Sequence, residues 1–61
     1  IMSADCIKLS RLKVGDIFCY HGVIYEVVIK NAWTTTCRYA NDAKTPKYTY
    51  CDFNNYTKVE I

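Results

Sequence analysis

The stretch that decides the fold is LKVGDIFCYHGVIYEVV, running from Leu12 to Val28. Gly15-Asp16 reads as a tight bend, because glycine reaches backbone conformations closed to most residues. An aspartate beside it accepts hydrogen bonds from neighbouring amides and fixes the start of the next element. Ile17-Phe18-Cys19-Tyr20 is then a strand, His21-Gly22 a two-residue hairpin loop, and Val23 to Lys30 a second strand. With that loop, residues whose numbers add to 43 face each other, so Phe18 opposes Tyr25 and Cys19 opposes Ile24. Alternation sends Phe18, Tyr25, Val27 and Ile29 inward, with Tyr20 a further candidate, and leaves Glu26 and Lys30 facing water.

Upstream of the bend, Cys6-Ile7-Lys8-Leu9 carries a loose pattern that suits either a short edge strand or a turn of helix. Ser10 is placed to cap a brief turn at Arg11-Leu12. Leu9, Leu12 and Val14 are expected against one mouth of the core. Downstream, Asn31-Ala32 breaks the run, and Trp33 to Tyr39 is β-branched and aromatic, the composition of a pleated, half-buried surface. Trp33, Thr35, Cys37 and Tyr39 share one face of it; Thr34, Thr36 and Arg38 share the other. Ala40 to Pro46 is a polar hairpin loop, since proline is tolerated only at a strand's start. Lys47 to Cys51 is a fourth strand, Asp52 to Asn55 a short turn, and Tyr56 to Ile61 a last strand with Val59 and Ile61 inward and Lys58 and Glu60 outward. The expectation is an all-β, five-stranded antiparallel SH3-like barrel filling residues 1–61, with the last strand returning to pair with the first.

Sixty-one residues hold one domain. At this length burial barely offsets roughly 1.5 kcal/mol of ordering entropy per residue, so the apolar side chains must pack efficiently. They are plentiful: 51% of the residues are hydrophobic and 15% aromatic, six of them tyrosines, which excludes a disordered chain. No apolar run approaches the roughly 18 residues a membrane helix needs. Met2 reads as a natural start preceded by Ile1, or else the chain is an excised domain.

Four cysteines, Cys6, Cys19, Cys37 and Cys51, contain no C-x-x-C knuckle, so the pairing of ligands on one turn that pre-forms a zinc site is missing. The preferred reading is reduced thiols filling a small core. The alternative is disulfides, and a hairpin centred near Lys44 makes Cys37–Cys51 the defensible pair.

The run Leu12-x-Val14-Gly15-Asp16-x-Phe18-x-x-x-Gly22-x-x-Tyr25-x-Val27 resembles small SH3-like barrels. It is similar to the amino-terminal domain of the translation elongation factor P family and to short bacterial and phage proteins. The resemblance covers about a quarter of the chain and implies the barrel. It implies no translation role, because Lys44 lacks the glycine-flanked loop that carries the modifiable basic residue of that family.

Catalysis finds little support. Acid–base or nucleophilic chemistry needs a nucleophile, a base within about 3 Å and an orienting group. The single histidine, His21, sits in a turn; the carboxylates are scattered; and no cysteine has a basic neighbour in sequence to lower its pKa. The expected function is a non-enzymatic module, without cofactor or metal, cytoplasmic, and docking on a protein partner. If phage-encoded, it would work in the host cytoplasm as a modulator of a host protein. The alternative is single-stranded nucleic-acid binding. The formal net charge is only +2, but Lys30, Arg38, Lys44 and Lys47 against Asp42 alone leave residues 30–50 at +3, and tyrosines lie among them. Self-association stays open as well, whereas no membrane partner is expected. The contact residues expected for the docking module are Trp33, Arg38, Tyr39, Lys47, Tyr48 and Tyr50; the nucleic-acid reading adds Lys30, Lys44, Phe53 and Tyr56.

Overall fold

In the computed structural model, which describes residues 5–40 and 50–61, two glycine turns set the frame. Asp16 N–H donates to the Lys13 carbonyl at 2.9 Å, closing a turn with Gly15 at φ 95° in its third position, the geometry a type II turn demands of glycine. The Asp16 carboxylate accepts from the Lys13 N–H at 2.8 Å, as the bend predicted. His21 and Gly22 both have positive φ, 51° and 81°, which matches the right-handed twist of the strands they join.

Those strands are β2 (Ile17–Tyr20) and β3 (Val23–Lys30), paired Phe18 to Tyr25 and Cys19 to Ile24 as read from the sequence. Around them lie β1 (Cys6–Lys8), β4 (Thr34–Tyr39), β5 (Tyr50–Asn54) and β6 (Lys58–Glu60). All pairings are antiparallel, in the order β1-β6-β2-β3-β4-β5. The sheet curls into a half-barrel of six strands, not five. The last strand does return to the hairpin, through Cys19 and Glu60. The sixth strand is β1, which adds to the far side of β6 because Ile7 falls opposite the buried Val59. A 3₁₀ turn at Leu9–Arg11 comes directly after it, so both alternatives for that segment are realised in succession. Ser10 does not cap this turn; Lys8 stands at its N-cap position without a side-chain bond. Among the described residues no helix is long and apolar enough to cross a membrane.

The concave face buries Leu9, Leu12, Phe18, Tyr25, Val27, Cys37 and Val59, with Ile7, Tyr20, Tyr39, Cys51 and Phe53 against them. Phe18, Tyr25 and Tyr39 occupy one row across β2, β3 and β4, each ring stacked on the next at 5.4 Å. Phe53 meets Tyr25 and Tyr20 edge-on at 5.0 and 5.2 Å, the offset that ring quadrupoles favour.

The structure corrects several expectations. The pairing of β3 with β4 shifts by one residue between Val27 and Ile29, a β-bulge that places Val28 out of register. Beyond it Ile29 is 52% exposed, and Lys30, exposed as expected, pairs with Thr35. Its ammonium then donates to the Ser10 and Leu12 carbonyls, tying the 3₁₀ turn to the sheet. Asp52, Phe53 and Asn54 continue β5 and are not a turn, because Phe53 pairs with Thr35 and reaches the core. The chain reverses one step later at Asn55-Tyr56, where the Asn54 side-chain oxygen accepts the Tyr56 N–H at 2.8 Å. Val14 and Ile61 are exposed, not buried: Val14 sits at the tip of the glycine turn and Ile61 lies past the end of β6. Residues 41–49, with Lys44, Lys47 and Tyr48 and the greater part of the polar loop, lie outside the described residues.

Candidate functional site

The outward face of the sheet is built in rows, because directly paired residues on antiparallel strands share a side. One row runs Ile17, Glu26, Arg38, Tyr50 across β2 to β5; the next runs Ile29, Thr36, Asp52. Ile17, Ile29 and Tyr50 are 49%, 52% and 50% exposed. Between them Arg38 is held by Glu26: its Nη2 lies 2.7 Å, and its Nε 2.8 Å, from Glu26 Oε1. The Thr36 hydroxyl donates to the Asp52 carboxylate. The surface is therefore apolar at its flanks and internally neutralised at its centre.

The six expected contact residues do not all meet there. Arg38 and Tyr50 are direct partners on this face. Tyr39 turns to the opposite side and stacks on Tyr25. Trp33 precedes β4 in the 31–33 bend and is 76% exposed. Lys47 and Tyr48 lie outside the described residues. Sequence reading missed Ile17 and Ile29 as surface residues. The exposure of Ile17 matches its parity opposite to inward Phe18, but that of Ile29 needs the bulge, for which the sequence carries no signal.

Trp33 owes its position to Asn55. The Asn55 backbone N–H donates to the Trp33 carbonyl at 2.9 Å, and its carbonyl accepts from Ser10. Its side-chain amide donates to the Asn31 and Ala32 carbonyls, both at 3.1 Å. Its side-chain oxygen accepts from the hydroxyl of fully buried Thr35 at 2.8 Å. One residue thus fastens the bend, the 3₁₀ turn and the core of β4.

Cys37 and Cys51 face each other across β4 and β5, as the hairpin register required, and both are thiols. Burial pushes the Cys37 pKa up to about 12, helped by the nearby Cys51 and Asp52. The Cys51 pKa is raised by burial and then by Asp52, and that of Tyr25 chiefly by burial. Groups held protonated in this way fill space; they are not poised as nucleophiles. Among the described residues no cluster of three His, Cys, Asp or Glu side chains has the geometry to hold a metal ion. These features define a small all-β half-barrel with a neutralised, partly apolar outer face. Compared with known proteins, the chain matches no family model, no curated protein and no solved structure.

Proposed function

We propose that this chain is a non-enzymatic docking module, an SH3-like barrel in its finer classification, that binds a protein partner through the outer face of β2 to β5. The observation that carries the reading is the placement of exposed Ile17, Ile29 and Tyr50 around the Arg38–Glu26 pair. Protein interfaces are enriched in tyrosine and arginine and depleted in free charge. This face has that composition. A nucleic-acid partner fits it less well, because phosphate binding needs uncommitted cations. The Arg38 guanidinium is engaged by a carboxylate, and the Lys30 ammonium by two carbonyls.

The test is affinity capture from the native host's lysate, repeated after nuclease treatment, with wild type and with I29D and Y50S. The reading expects a partner that survives nuclease and is lost with either variant while the variants stay folded. Capture that disappears on nuclease treatment, or that ignores both substitutions, contradicts it.

A further inference from the structure

A second outward surface lies at the other end of the sheet, on β1, β6 and β2, and shares no residue with the docking face. Cys6, Glu60 and Cys19 form one row across these strands, and Lys8 and Lys58 are directly opposed in the next. Between β6 and the His21-Gly22 turn is an open depression of about 310 Å³, lined among others by Cys6, Cys19, His21, Lys58 and Glu60. We propose that this depression and the lysine pair bind one nucleotide unit of a single-stranded nucleic acid, favouring a base that carries an exocyclic amine.

Four observations converge on that ligand. Like charges placed directly opposite on paired strands destabilise a sheet. Yet the Lys58 ammonium has no hydrogen-bond or ion-pair partner among the described residues, and Lys8 meets only the Tyr56 ring there. An anion seated between the two would relieve their repulsion. The Glu60 carboxylate, two residues along the same face of β6, is likewise unpartnered among the described residues. A carboxylate beside two cations repels a bare phosphate but accepts hydrogen bonds from an amino group, as acidic side chains do when they read cytosine. The depression is at the small end of the roughly 300–1,000 Å³ typical of ligand clefts, a size suited to one base. Finally, Tyr56 is 66% exposed with the Lys8 ammonium 5.3 Å from its ring centroid. A cation beside an open aromatic ring is the pairing that single-strand binders use for a phosphate and a stacked base. Sequence charge alone pointed elsewhere: the residues outside 30–50 carry a net −1, and only the β1–β6 register brings Lys8 and Lys58 together.

The test is fluorescence anisotropy with labelled dC10 and dT10 at neutral pH, read beside each variant's thermal midpoint. Neutralising one phosphate of a single strand predicts about a 2.6-fold loss of affinity between 50 and 200 mM salt. K58E should weaken dC10 binding tenfold or more, while its thermal midpoint holds or rises, since opposite charges then face across β1 and β6. E60A should bring the ratio of dC10 to dT10 affinity close to one. R38A and Y50S, on the other face, should leave oligonucleotide binding unchanged. The proposal is overturned if dC10 does not bind at low salt, if K58E binds like wild type, or if E60A keeps the base preference. Equal affinity for poly-glutamate, or loss of binding on R38A instead, overturns it too.

Discussion

Asn55 engages its backbone N–H, its carbonyl and both ends of its side-chain amide at once. Removing the side chain strands the Thr35 hydroxyl in a fully buried position, and a buried group left unpaired costs about 1–3 kcal/mol. Asn55→Ala is therefore expected to lower the stability by that amount in urea denaturation. Thr35→Val should do the same from the other side. The double variant should cost at least about 0.5 kcal/mol less than the two single losses together, because both remove one interaction. Cys37 contributes to the alkaline limit. Its pKa in the folded chain is about 12, raised mainly by burial, above the roughly 8.5 of an unfolded cysteine. The unfolded chain thus loses this proton first as pH rises. The contribution is complete below about pH 8.5 and is lost as pH climbs towards 12. Cys37→Ala should flatten that limb of a stability-versus-pH curve; an unchanged slope would show that other groups set it.

Among the elements, the hairpin was fully legible and the bulge was not. Phe18 and Tyr25 were placed correctly because a two-residue loop fixes register by arithmetic and His21-Gly22 supplies the positive φ it requires. The Cys37–Cys51 pairing was readable for a similar reason, since a hairpin centred near Lys44 sets the two opposite each other. Ile29 was read on the wrong face because alternation assumes an uninterrupted ladder, and Val28 interrupts it. The bulge lets Lys30 reach the Ser10 and Leu12 carbonyls, a gain that no local pattern announces. Asp52 to Asn54 looked like a turn by composition, but pairing with β4 and burial of Phe53 prevailed over local preference. The candidate contact surface was half legible: Arg38 and Tyr50 do share a face, whereas Tyr39 was claimed by the aromatic stack. One contrast checks the bulge. Ile29→Thr should change stability by less than about 0.5 kcal/mol, as exposed positions do. Val27→Ala, two residues away and fully buried, should cost about 2 kcal/mol or more. Equal costs in denaturant titrations would mean that Ile29 is interior and the ladder unbroken.

At the scale of the molecule, the two sides of the curled sheet divide the work. The concave side holds the aromatic stack, the buried thiol of Cys37 and the side chains closing over them. The outer side carries three half-exposed apolar residues round an ion pair, and the fold does not need them there. The tyrosines are split accordingly: Tyr20, Tyr25 and Tyr39 pack against the core, and Tyr50 and Tyr56 project from it. Stability and partner binding should therefore respond to different residues. The most direct measurement is to take the double variant I29D/Y50S through both a urea denaturation and nuclease-treated capture. Our account predicts an unfolding free energy within about 0.5 kcal/mol of wild type, together with loss of the captured partner. A variant that unfolds, or one that still captures its partner at wild-type yield, would contradict the division of the sheet into a stabilising inside and a binding outside.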